Sequence, residues 1–183
     1  RHKPTGVTAM LRVLVQPAGG AFVEPQVSVG ASHTVALKSD GTVWTWGSNK
    51  HGQLGANLTQ EYSDTPVNVV YLNAADGSEQ VLTGIVAIAA GGDHALAVAA
   101  DGTVWSWGSN EHGQLGLGTL DVTSENKAVK VQSLPDGVIK AAAGKGYSVL
   151  LTSKGTVWSF GYNDKGQLGV GYTGLVRRYQ FGA

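Results

Sequence analysis

The sequence contains no cysteine among its 183 residues and only one methionine. Disulfides, thiolate metal sites and cysteine nucleophiles are excluded together. Charge is scarce as well: Asp, Glu, Lys and Arg make up 14% of the chain, well below the usual quarter. Thirteen basic residues balance thirteen acidic ones, so the formal net charge is zero. A polyanion-binding surface normally needs a basic excess, and no nucleic-acid partner is expected. No run approaches the roughly 18 apolar residues of a membrane-spanning helix. No stretch shows a capped amphipathic helical period, so no glycine-rich loop can open a helix to cradle a phosphate.

What the chain has in quantity is glycine, 27 residues of it, beside 42% hydrophobic and 8% aromatic residues. That mixture suits short strands joined by tight turns. One phrase recurs: DGTVWTWGSNKHGQLG at 40–55, DGTVWSWGSNEHGQLG at 101–116 and KGTVWSFGYNDKGQLG at 154–169. Trp44, Trp105 and Trp158 are offset by 61 and 53 residues, and the same offsets relate Gly30, Gly91 and Gly144. Self-similarity at such a period marks a repeat architecture in which each copy is one supersecondary unit. The extra eight residues between the first two copies are assigned to an insertion at 74–84.

Each unit is read as four strands. Residues 11–16, 66–72 and 128–134 are taken as an outer strand arriving from the preceding unit. A strand of small residues follows, clearest at 86–92 and 139–146, where another backbone must approach closely. A second strand comes next, then a two-residue turn at Asp40-Gly41 or Asp101-Gly102. The aromatic third strand is read with Val43 and Trp46 on one face and Trp44 on the other, so that each sheet offers an aromatic to both neighbours. The fold class is all-β: a β-propeller of four-stranded antiparallel blades, about three in this chain, forming a partial ring or one completed by oligomerisation. The divisions are a leader and outer strand at 1–27, repeats at 28–72, 73–134 and 135–169, and a C-terminal tail at 170–183.

GSNKHGQLG, GSNEHGQLG and GYNDKGQLG, each preceded by GTVW, together with IAAGGDHALAV at 88–98, resemble the repeats of the regulator of chromosome condensation family. The resemblance covers about 27–169 and implies a propeller of more blades than three. The family's namesake is a nuclear exchange factor for a small GTPase that docks on chromatin, while similar repeats occur in bacterial secreted and surface proteins. The SDGTVWTWG phrasing looks more like the bacterial branch, which implies an extracellular or cell-surface location.

Trp44, Trp105 and Trp158 are read as packing residues. His33 and His94, at equivalent positions with Tyr147 third, are read as fixing a turn within the blade rather than holding a metal. Asn49, Asn110 and Asn163 are assigned to backbone hydrogen bonds in the loop, and Gln53, Gln114 and Gln167 to ties between strands or blades. Candidate partner-binding positions are those that vary between copies: Lys50, His51, Glu111, His112, Asp164 and Lys165, with the stretches 74–84 and 117–127. His51 and His112 are expected to be solvated. No catalytic constellation, metal set or cofactor motif is present in the sequence.

The leading functional expectation is a non-enzymatic interaction scaffold for another protein or a surface ligand, since loops on rigid scaffolds carry much of binding. Guanine-nucleotide exchange with chromatin binding is the alternative that the resemblance implies. A third expectation is self-assembly, with strand 11–16 supplying an outer strand that the last blade lacks and two chains closing a ring by exchanging it.

Overall fold

The computed structural model describes residues 23–134, 136–174 and 176–181, the last of these through the backbone alone. Among the described residues every regular element is a strand. The first blade comprises β1 (Gln26–Val29), β2 (His33–Leu37), β3 (Val43–Ser48) and β4 (Tyr62–Asn68). A hairpin follows, β5 (Val70–Leu72) and β6 (Glu79–Val81). The second blade is β7 (Ile85–Ala90), β8 (His94–Ala99), β9 (Val104–Ser109) and β10 (Ser124–Lys130). The third is β11 (Val138–Ala143), β12 (Tyr147–Thr152), β13 (Val157–Gly161) and β14 (Val176–Phe181).

Within each blade the strands pair antiparallel in chain order. The outer strand therefore follows the aromatic strand of its own unit, and does not arrive from the preceding one. β4 and β10 begin four residues before the expected 66 and 128. The tail supplies β14, which pairs with β13 at Val157↔Phe181 and Trp158↔Gln180. The last blade thus has its own outer strand, which removes the reason given for strand exchange. The candidate strand at 11–16 lies outside the described residues. The insertion is the β5–β6 hairpin. Its β5 adds parallel to β10, making the middle sheet six-stranded in the order β6-β5-β10-β9-β8-β7.

The turn before each aromatic strand is a three-residue loop, not the two-residue one expected. Lys38 N donates to Thr42 O at 3.0 Å and Gly41 N to Lys38 O at 2.9 Å. Only Gly41 has a positive φ, 78°. A two-residue type I′ turn needs two such residues, whereas the three-residue loop needs one left-handed position, at its end. Asp40 Oδ1 supports the turn by accepting from Thr42 N at 3.0 Å.

The small strands β1, β7 and β11 crowd together on the inner side. Ala31 N donates to Gly92 O at 3.0 Å, and Gly92 N to Gly144 O at 3.1 Å. A Cβ on Gly91 would stand 2.5 Å from the Gly144 carbonyl oxygen, so the small residues there permit contact of backbone on backbone.

Two hydrophobic cores fill the seams between blades. The first joins Val35, Leu37 and Val43 of blade one to Ile88, Ala95, Ala97 and Trp107 of blade two. The second joins Leu96, Val98 and Val104 of blade two to Leu150, Phe160 and Trp158 of blade three. Both aromatics of a third strand therefore lie on one face, toward the preceding blade. Valine and the intervening Thr or Ser lie on the other. Side chains alternate with a period of two, so Val43 and Trp46, three apart, cannot share a face, and the expected arrangement is corrected on that ground.

Candidate partner-binding face

Each aromatic strand ends in the GxNxxGQLG loop, at the opposite end of the strand from its glycine turn. The loop is built identically three times. Asn49, Asn110 and Asn163 accept from the N–H of Leu54, Leu115 and Leu168 through Oδ1, at 3.3, 3.1 and 3.0 Å. Their Nδ2 atoms donate to the carbonyl nine residues on in each copy, those of Leu58, Thr119 and Tyr172, and in the first two copies also to Gln60 and Val122. Gln53, Gln114 and Gln167 accept from the N–H two residues earlier, at 2.8, 2.8 and 2.9 Å. Thr45, Ser106 and Ser159 donate their hydroxyls to the leucine carbonyls. Buried polar groups must be paired, and this network pairs them while fixing the loop's path.

The varying positions sit on that fixed frame. Lys50, Glu111, Asp164 and Lys165 are exposed, and His51 and His112 half-buried. The repeat places all six on one face of the array. His112 is not simply solvated: its ring packs against Tyr162 with centroids 4.8 Å apart and planes tilted by 46°. Between blades two and three these rings border a cleft of about 420 Å³ lined also by Asp93, Glu111, Lys145 and Gly146. Asp93, Lys145, Gly146 and Tyr162 were missed by sequence reasoning, although Asp93 and Gly146 occupy corresponding places before His94 and Tyr147. Lys50 and His51 belong to the neighbouring loop, and Asp164 and Lys165 to the third, whose Asp164 is tied to the Tyr162 hydroxyl at 2.6 Å. The insertion hairpin lies elsewhere, at the outer edge of the middle sheet, with all three β6 residues exposed.

The paired histidines differ from expectation. His94 is fully buried and reaches across the seam, not within its blade: its Nε2 lies 2.8 Å from Ser148 Oγ. Because Ser148 Oγ donates its one proton to Gln114 O at 2.7 Å, it accepts from His94, whose proton is therefore on Nε2. Burial lowers the His94 pKa from 6.5 to about 3, with the nearby His33 adding to the effect. His33 is nearly as enclosed, but neither of its ring nitrogens makes a hydrogen bond of good geometry; its polar neighbours are the His94 backbone and the Asp93 carboxylate. Its pKa is also lowered by burial, against the opposing pull of the Asp93 carboxylate and the His94 backbone. Among the described residues no group of three His, Asp or Glu could hold a metal.

Comparison with known proteins yields a consistent set of relatives. Two models of the regulator of chromosome condensation (RCC1) repeat match, one over 26–53, 85–114 and 138–167, the other over 40–98 and 101–151. The human probable E3 ubiquitin-protein ligase HERC6 is 38% identical over 144 residues, which are 78% of this chain and 13% of that protein. The RCC2 homolog of Danio rerio is 35% identical over 140 residues, 76% of this chain and 26% of the relative. The crystal structure of human WBSCR16 superposes with a TM-score of 0.64 at 29% identity, covering 81% of this chain and 35% of that one. That of Prp20p from Saccharomyces cerevisiae, described with its binding to Gsp1p and histones, gives 0.67 at 24% identity over 86% and 37%. The chain thus spans from about an eighth to about a third of these proteins. All are eukaryotic, and the bacterial type suggested by the turn phrasing is not borne out.

Proposed function

We propose that this chain, which belongs to the regulator of chromosome condensation (RCC1) repeat family, is a non-enzymatic interaction module that engages another protein through its GxNxxGQLG loop face. One observation carries this reading. The loop frame is held by the same Asn, Gln and Leu contacts three times, while the exposed side chains on it differ from copy to copy. Stability explains the frame; it does not explain Lys50-His51, Glu111-His112 and Asp164-Lys165. A rigid scaffold presenting variable loop positions is a common arrangement for recognition. The yeast relative described with Gsp1p and histones supports a protein partner in general. The balanced charge of this chain gives chromatin attachment no matching support. The match to the HERC ligase is confined to the repeats and carries no ligase chemistry with it.

The test uses a photo-crosslinking residue placed at Glu111 or Asp164, with Asp101 at the opposite end of the blade as control. A discrete protein adduct from the first two positions and not from Asp101 is the expected outcome. Equal labelling at all three positions would sink the proposal.

A further inference from the structure

The two seams inside the chain differ at one place, where the first supplies a carboxylate and the second does not. At the first, Gln53 Nε2 donates to Ser48 Oγ at 3.4 Å and to Asp93 Oδ1 at 3.2 Å. At the second, Gln114 holds the place of Gln53 and Gly146 that of Asp93, at the repeat offsets of 61 and 53. Gln114 Nε2 donates to Ser109 Oγ at 3.1 Å. A side-chain amide nitrogen carries two hydrogens, and among the described residues nothing accepts the second.

The amide cannot turn over to relieve this. Gln114 Oε1 accepts from His112 N at 2.8 Å, and only the oxygen can meet a backbone N–H. The residue is 2% exposed, yet it borders the cleft of about 420 Å³ between blades two and three. A buried donor without an acceptor is costly. A Cβ on Gly146 would meet His112 Cδ2 at 3.0 Å and Tyr162 Cβ at 3.5 Å, with no backbone atom in its way. The cleft therefore opens where the side chain of an Asp93 counterpart would stand. The charge beside it changes too. Lys145 replaces Gly92 at the same offset; it borders the cleft, is exposed, and forms no ion pair among the described residues. Two carboxylates oppose it: Asp93, which already receives Gln53 Nε2, and Glu111, which is exposed on the rim and screened by salt.

We infer that this cleft receives an aspartate or glutamate side chain of the partner, whose carboxylate takes the place beside Gln114 that Asp93 takes beside Gln53. The partner is the protein of the loop-face reading, on which this inference rests. Gln114 supplies a buried N–H, and a hydrogen bond to an ionised acceptor is about twice as strong as one to a neutral acceptor. Lys145 supplies the counter-charge. The tilted rings of His112 and Tyr162 form a wall for the methylenes of the incoming side chain. Both sides of this seam belong to described blades, so the cleft does not depend on where the chain begins or ends.

Titration of the full chain with capped amino acids, followed by NMR at the Gln114 side-chain amide, tests this. The probes are Nα-acetylglutamate amide, its neutral isostere Nα-acetylglutamine amide, and Nα-acetyllysine amide as the cationic control. The acidic probe should give a saturable shift of the Gln114 amide, with the other two roughly tenfold weaker. Lys145→Gln should weaken the acidic probe about two- to fivefold, and Glu111→Gln should tighten it by a similar factor. Gly146→Asp restores the missing carboxylate and should abolish binding while the near-UV spectrum stays native; if that variant loses its fold, Lys145→Gln decides. No saturable shift, an equal response to the neutral probe, or undiminished binding in either Gly146→Asp or Lys145→Gln overturns the inference. The crosslinks at Glu111 and Asp164 judge the loop-face reading separately. A protein adduct without probe binding sinks the carboxylate site alone, and probe binding without an adduct sinks the loop-face reading alone.

Discussion

At the seam between blades one and two, the Gln53 carbonyl is satisfied by Trp107 Nε1 at 3.0 Å. At the next seam the equivalent Gln114 carbonyl is satisfied by Ser148 Oγ at 2.7 Å, and Phe160, without an N–H, fills the aromatic place. Trp107 thus goes with Ala95, and Phe160 with Ser148. The consequence spreads to the histidines: Ser148 gives His94 a partner, while Ala95 offers His33 none. Asp93 makes the opposite trade. It receives Gln53 Nε2 at 3.2 Å across the first seam, whereas its counterpart Gly146 leaves the second seam without that bond and borders the cleft. One buried carbonyl must be paired at each seam, and two coupled residue sets achieve it.

The widest expected effect on this comparison comes from pH. The unfolded chain takes up a proton on His94 near pH 6.5, while the folded seam resists it down to about 3. Stability is therefore fully present above pH 6.5 and is lost as the pH falls toward 3. The loss approaches about 1.4 kcal/mol per pH unit for this residue. His33 contributes with the same sign. Urea unfolding between pH 6.5 and 4 should show this slope, and His94→Gln should flatten it; an unchanged slope in that variant would remove His94 as the cause.

Ser148→Ala comes next, because it strips a partner from both His94 and the Gln114 carbonyl. A cost of about 2 kcal/mol is expected in the urea midpoint. Ala95→Ser at the first seam, which introduces a hydroxyl beside His33, should cost little or add stability.

Trp107→Phe removes the indole N–H together with part of a fully buried ring, and should cost about 2 kcal/mol by leaving the Gln53 carbonyl unpaired and opening a small cavity. Adding Ala95→Ser transplants the second seam's solution, and the double variant should recover at least 0.5 kcal/mol as a coupling in a mutant cycle. Strict additivity would mean that the two residues do not share the carbonyl.

The smallest effect is expected from Gly146→Asp, within about 0.5 kcal/mol. It offers Gln114 the partner that Gln53 has, but a Cβ there meets His112 Cδ2 at 3.0 Å, so the ring must yield. Loss of the His112–Tyr162 contact in NMR spectra, with the midpoint nearly unchanged, would show the cleft closing.

Much of the fold was legible in the linear chain. The three copies, the strands of a blade and the Asn of the loop follow from spacing and residue type, because each rests on contacts within one unit; the glutamines, expected to tie strands or blades, brace their own loops, and among them only the Gln53 side chain bonds across a seam, to Asp93. The errors arose where that locality ends. The expected outer strand at 66–72 spans two elements, the end of β4 and the whole of β5, and only pairing separates them. The face of Trp46 follows from the period of two along the strand, which puts it with Trp44 and opposite Val43. Tyr162 and Lys145 gave no repeat signal, since their role depends on the neighbouring blade.

The sequence by itself determined that this is a repeat of four-stranded units, since a period of two along each strand and glycine at each tight turn are properties of short segments. The tertiary structure decided which residues some 54 positions apart meet across a seam: His94 with Ser148, and Trp107 with Gln53. The reason is physical. A buried polar group must be paired by whatever lies opposite it, and what lies opposite is set by how blades pack, not by the order in which residues are written.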